Sequence, residues 1–172
     1  MIECSMEFST NKSEMYEEVA MMLRGLLEDC PHVIASLANT SALLNQAMDE
    51  INWVGFYMLE DTQDDEPILV LGPFQGKTAC VEIKIGKGVC GTAVERDEVM
   101  LVKDVHAFPG HIACDGASRS EIVLPIHAGG KVVGVLDIDS PILARFDEED
   151  KEGLEKIVEV IEEMIFPIAL FE

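Results

Sequence analysis

The sequence predicts an α+β fold: one antiparallel sheet of about six strands, with helices from the N- and C-terminal ends packed on one of its faces. Three observations predict it. Helical apolar periodicity is confined to the two ends of the chain. The middle runs apolar in short segments split by Gly and Pro. A glycine pair, Gly129-Gly130, separates two long apolar runs, as in a hairpin. With 172 residues, 48% hydrophobic and 26% charged, the chain has the size and composition of one folded domain.

Each element follows from its pattern. Residues 1–12 read as an N-terminal arm. From Ser13, the residues Met15, Val19, Met22, Leu23, Leu26 and Leu27 form one helical stripe that Cys30-Pro31 ends, and a second helical pattern runs from His32 to Met48. Asn52 to Met58 reads as a strand, Asp61 to Pro67 as a turn, Ile68 to Leu71 as the next strand and Gly72 to Gly76 as a loop. Val81 to Ile85 is a short strand, Gly88 to Val94 a short helix and Val99 to Val102 another strand. Residues 103–119, with Pro109, Gly110 and Gly116, are too irregular for either element, and a loop that long in a compact domain points to function. Ser120 to His127 and Lys131 to Asp139 form the hairpin, Pro141 breaks the chain, and Asp147 starts the last helix. Its stripe of Leu154, Ile157, Val158, Ile161, Met164, Ile165 and Ile168 fits packing onto the sheet or, alternatively, a helical dimer interface.

Charge and composition exclude several classes. Twelve Lys and Arg against thirty-three Asp and Glu leave a formal charge of −21, which repels nucleic-acid backbones and anionic membranes. Met1 to Thr10 lack a basic start and an apolar run, and no stretch approaches the roughly 20 apolar residues of a membrane span, so a cytoplasmic protein is expected. Five cysteines (Cys4, Cys30, Cys80, Cys90 and Cys114) are then poor material for a static disulfide framework. Zinc would need His106, His111 and Cys114 with Cys80 or Cys90, a spacing that matches no standard zinc pattern, so no metal is expected. Cys114 lies in the irregular loop, where a thiol can be reached. Cys90 sits at a helix start, which lowers a thiol pKa, and Cys80 follows a Gly/Pro loop.

Asp137 and Asp139 share one face of an otherwise apolar strand, and apolar residues on both faces before them place that strand inside the sheet. Whether Glu121 joins them depends on the hairpin. A two-residue Gly129-Gly130 turn sets Glu121 opposite Ile138, on the wrong face, whereas a three-residue loop pairs it with Asp137. If the three share a site, repulsion and desolvation raise at least one pKa and create a proton donor near neutrality. Trp53 and Tyr57 share a face of the first strand, and Gly55 between them leaves a gap walled by rings, suited to a methyl group or thioether.

The strings Asn52-Trp53-Val54-Gly55-Phe56-Tyr57, Leu71-Gly72-Pro73-Phe74-Gln75-Gly76, Gly86-Lys87-Gly88-Val89-Cys90-Gly91-Thr92, Asp104 to Asp115, Ser120-Glu121-Ile122-Val123-Leu124-Pro125 and Gly134 to Pro141 carry a resemblance. Over nearly the whole chain, from Ser13 to the last helix, they resemble the free methionine-(R)-sulfoxide reductases, a GAF-domain family. The resemblance implies one GAF domain over residues 1–172, with 103–119 as an active-site loop. It implies that Cys114 is the nucleophile and Cys80 the resolving cysteine that pairs with it, with Cys90 as a third cysteine of less defined part. Glu121, Asp137 and Asp139 would surround the substrate, and Trp53 and Tyr57 would form its aromatic wall. It further implies thioredoxin as reductant, a homodimer, and no metal or organic cofactor. The competing reading is a non-catalytic GAF module that senses a small ligand.

Overall fold

The computed structural model describes residues 7–62, 66–110 and 116–167. The expected positions Cys4, His111, Cys114 and Ile168 lie outside the described residues. In chain order the elements are α1 (Lys12–Leu27), α2 (Val33–Ala47), β1 (Trp53–Glu60), β2 (Ile68–Gly76), β3 (Glu82–Lys84), α3 (Gly88–Arg96), β4 (Met100–Val102), β5 (Ser120–Ala128), β6 (Lys131–Ser140) and α4 (Glu148–Ile165), with a 3-10 turn at Val105–Ala107. The six strands form one sheet in the order β3-β2-β1-β6-β5-β4, antiparallel throughout. No helix of the described residues is long and apolar enough to cross a membrane.

Strand parity divides the core in two. Val54, Phe56, Ile122, Leu124, Leu136 and Ile138 point to the face covered by α1, α2 and α4, where they meet Val19, Leu23, Leu44, Leu154, Ile157 and Ile161. The opposite face carries Trp53, Tyr57, Val123 and Val135, roofed by Val89 and Ala93 of α3. The terminal helices therefore share a face, as their positions in the sequence predict, while the short central helix sits on the other.

Two local readings change. Residues 72–76 are strand rather than loop: β2 continues to Gly76, and the β1–β2 register shifts between Gly55 and Tyr57, so that Gly72 and Pro73 together oppose Phe56. A bulge of this kind leaves the ladder a place for a residue without an N–H, which is how Pro73 enters a strand. In α1, Leu26 is 46% exposed, and Tyr16 is the residue that joins Met15, Val19, Leu23 and Leu27 in the core.

Tyr16 also locks α1 to α4. Its hydroxyl donates to Asp150 Oδ1 at 2.9 Å, and Lys12 Nζ reaches Asp150 Oδ2 at 2.7 Å. Asp147 and Asp150 close a capping box at the start of α4, where the sequence predicts that helix to begin. Gly153 lies one turn further on, and a Cβ there would stand 2.1 Å from the Tyr16 ring. Ala ordinarily favours a helix over Gly by about 1 kcal/mol. Here the forced displacement of a buried ring outweighs that gain, so Gly153→Ala is expected to cost on the order of 2 kcal/mol net and to lower Tm by about 5 °C. Thermal melts of the two proteins at one pH check this; an unchanged or higher Tm would refute the packing argument.

Candidate active site

β1, β6 and β5 bring the site residues together because directly opposed positions of an antiparallel pair project to the same side. Trp53 pairs with Asp139, Gly55 with Asp137, and Tyr57 with Val135. Across the hairpin, Glu121 pairs with Asp139 and Val123 with Asp137. Trp53, Tyr57, Glu121, Asp137 and Asp139 thus lie on the face away from α1, α2 and α4, and all five line one cavity.

The hairpin reaches this register by a route that sequence reasoning did not foresee. The connection is the two-residue turn Gly129-Gly130, both with positive φ, at 56° and 77°, joining the pair Ala128 and Lys131. That turn alone would put Glu121 opposite Ile138. The register instead slips by one residue after His127 pairs with Val132, because Ile126 pairs with Gly134 and leaves Val133 as the extra residue of a bulge. The expected three-residue loop and Glu121–Asp137 pairing are therefore replaced by a tight turn, a bulge and a Glu121–Asp139 pairing. The carboxylates still share a face.

The aromatic wall also differs in detail. Trp53 stacks on Tyr57 with ring centroids 6.0 Å apart, and on Phe74 at 5.3 Å and 15°. Phe74 fills the space over Gly55, since a Cβ there would come within 2.3 Å of the Phe74 Cβ. Gly55 thus admits a third ring rather than leaving an open gap. A loop at residues 72–76 gives Phe74 no face; the alternation of Leu69, Leu71 and Phe74, with an allowance for a Gly-Pro bulge, is the sequence signal that marks it. Trp53 Nε1 donates to the Lys77 carbonyl at 3.1 Å and the Tyr57 hydroxyl to the Cys80 carbonyl at 3.0 Å, which ties the 77–80 segment over the cavity. Ser118, which receives a 3.1 Å hydrogen bond from Asn52 Nδ2, and Lys87, before α3, also line the cavity, and no sequence pattern marks them.

The cavity is partly open to solvent at its mouth. Glu121 and Asp137 are each only 6% exposed, and Asp139 is half-buried. Burial, then repulsion from Asp137 and Asp139, holds the Glu121 carboxyl well above the usual carboxylate range. Burial pushes Asp137 up to about 7, although hydrogen bonds with Cys90 and Glu121 pull the other way. Asp137 Oδ1 is buried with no hydrogen-bond partner among the described residues. One of the two neighbouring acids can therefore keep its proton at neutral pH and deliver it to a bound molecule.

Cys90 reverses its expectation. The first turn of α3 should make its thiol more acidic, yet burial and the negative charges of Asp137 and Glu121 push the thiol up, and it hydrogen-bonds Asp137. Desolvation beside three carboxylates overrides the helix terminus. Cys80 is half-buried with a free thiol. His106, on the 3-10 turn, is exposed.

Comparison with known proteins places this architecture. A GAF-domain family model matches residues 38–165. The chain is 51% identical over 155 residues to the free methionine-R-sulfoxide reductase of Escherichia coli K12, an alignment covering 90% of this chain and 91% of that protein. The structure of fRMsr of Staphylococcus aureus in complex with substrate superposes with a TM-score of 0.80 at 56% identity, over 87% of this chain and 95% of that one. The free methionine-R-sulfoxide reductase of Neisseria meningitidis, also solved with its substrate, gives a TM-score of 0.87 at 42% identity over 97% and 98% of the two chains.

Proposed function

This chain belongs to the free methionine-R-sulfoxide reductase family of GAF-domain proteins, and on that premise we propose that it reduces free L-methionine-(R)-sulfoxide to L-methionine with its own thiols. The observation that carries the reading is one cavity in which a stacked aromatic wall faces three carboxylates, two of them with raised pKa values.

In the proposed reaction the substrate methyl and thioether carbons lie against Trp53 and Tyr57. The carboxylates that remain ionised attract the ammonium group, and Asp137 Oδ1 is available to receive it. The Cys114 thiolate attacks the sulfoxide sulfur while the Glu121–Asp137 pair protonates the oxygen, without which the S–O bond does not break. The sulfoxide gains two electrons and leaves as methionine. As the S–O bond and the transient bond between the two sulfurs break, the hydroxyl passes to Cys114, whose sulfur loses two electrons and becomes a sulfenic acid; this condenses with the Cys80 thiol to a disulfide and water. An external dithiol of the thioredoxin class then reduces the disulfide by exchange in the cytoplasm. Cys90, with its raised pKa, keeps its proton and orients Asp137 instead of attacking. The roles of Cys114 and Cys80 rest on the family motif; those of the acids rest also on their burial and register.

NADPH consumption in the presence of thioredoxin and its reductase tests the proposal on free R, free S and peptide-bound methionine sulfoxide. Turnover is expected on the free R form. An amide in place of the ammonium leaves buried carboxylates without a cation, a mismatch that can cost a factor of ~10⁴ in kcat/KM, so the peptide-bound form is expected to fail. No turnover on any form, beside an active control enzyme, would favour a ligand-sensing GAF module.

A further inference from the structure

Glu121 and Asp137 are buried acids without a protein counter-charge: among the described residues no Lys, Arg or His forms an ion pair with either. Such a pair calls for a cation from outside. The third group beside them is a sulfur. The Sγ of Cys90 and one oxygen each of Glu121 and Asp137 all lie within 4.8 Å of one another, all three residues being buried. A separate observation points to a ligand at this place: Asp137, which lines the cavity, has a buried Oδ1 with no hydrogen-bond partner among the described residues.

From these we propose that Cys90, Glu121 and Asp137 form a three-ligand binding site for one zinc ion. The donor set decides the metal. One thiolate with two carboxylates suits Zn²⁺, whereas Mg²⁺ and Ca²⁺ take oxygen ligands and gain nothing from sulfur. Zn–S bonds of about 2.3 Å and Zn–O bonds of about 2.0–2.2 Å need donors roughly 3.5 Å apart in a tetrahedron, so the side chains draw inward by about 1 Å. The ligands stand on three packed elements, α3, β5 and β6, which holds the set together before any metal arrives. On binding, the Cys90 thiol loses its proton to solvent, as does any acid of the pair that holds one, and the ion takes their place. Three anionic ligands against a divalent ion leave one negative charge. The fourth position is left to water. If the proposed function is correct, zinc occupies the ground that the substrate ammonium needs and acts as a competitive inhibitor; only this last clause rests on that reading.

The test uses the full chain with its thiols reduced, titrated with Zn²⁺ against a chromogenic chelator. A parallel Cd²⁺ titration reads the thiolate-to-metal absorption band. The expected result is one tightly held equivalent in the wild type and in Cys30→Ser, with apparent affinity reduced at least tenfold in Cys90→Ser and in Asp137→Asn, and no competition by Mg²⁺. Asp137→Asn keeps all five cysteines and leaves α3 untouched, so a loss of zinc there cannot be assigned to the other thiols or to a misfolded helix; circular dichroism checks both variants. Wild-type zinc affinity in both variants, or no tight equivalent in the wild type, overturns the site and leaves the reductase reading intact. Tight zinc that free methionine sulfoxide does not displace leaves the metal site standing and overturns the placement of the substrate.

Discussion

Replacing Cys114 with serine is expected to abolish turnover of free methionine sulfoxide, while replacing Cys80 with serine is expected to spare the first turnover and stop the cycle. The two effects separate because the steps use the sulfurs differently. Attack on the sulfoxide needs a thiolate, which a serine hydroxyl does not replace at neutral pH. In the proposed reaction Cys80 enters only after methionine has formed, when it condenses with the sulfenic acid. Without external reductant, Cys80→Ser should therefore release one methionine per chain and finish with a sulfenic acid that dimedone labels, where the wild type finishes as a disulfide. Counting methionine by chromatography and the label by mass spectrometry distinguishes them. A Cys80→Ser variant that is dead from the first turnover, beside an active Cys114→Ser, would exchange the two roles. Among the described thiols, Cys90 is buried with its thiol pushed up, and Cys30, although hydrogen bonds from Ser36 and the backbone at His32 lower its pKa, does not line the cavity, as Cys80 does not; the roles given to Cys114 and Cys80 rest on the family motif. Acidity alone does not make a thiol the nucleophile; it must also face the substrate.

The second large effect combines a loss of activity with a gain of stability in one substitution. Asp137→Asn removes half of the pair proposed to donate the proton and is expected to lower kcat by ~10²–10⁴-fold, the range for losing general acid catalysis. Its effect on folding has the opposite sign at high pH. The Asp137 carboxyl stands at about 7 in the folded protein against an ordinary value of 3.8, so the folded state holds this proton more tightly than the unfolded state. Between about pH 4 and pH 7 the folded chain binds more protons, stability falls as pH rises, and above pH 7 the full penalty is present. The amide carries no such penalty and can donate to Glu121. It should add on the order of a few kcal/mol at about pH 8 and nothing at about pH 4. Urea titrations at the two pH values, with kcat measured alongside, test this. Equal destabilisation at both would show that Asp137 is not a buried acid held against its solvation. A site residue that costs stability in this way is what a functional carboxylate inside a core looks like.

Much of this protein is legible along the chain. The stripes of the terminal helices, and Trp53 with Tyr57 and Asp137 with Asp139 as same-face pairs, follow from periods of 3.6 and 2. These periods are local properties of the backbone and need no knowledge of the fold. Cys114, by contrast, is named by its place in an irregular segment and by its motif, and lies outside the described residues.

Tertiary structure alone decided the rest, for a common reason: each point depends on what stands across space, not along the chain. Glu121 shares the aspartates' face because Val133 bulges and undoes the half-step of a tight Gly-Gly turn, and turn chemistry by itself points to the wrong face. Phe74 reaches Trp53 because β2 absorbs Gly72-Pro73 as a bulge opposite Phe56. Cys90 keeps its proton because burial among carboxylates outweighs the helix terminus on which the sequence places it. The sequence by itself determined which residues could meet; the pairing register and the dielectric of the closed core determined that they do, and in which protonation state.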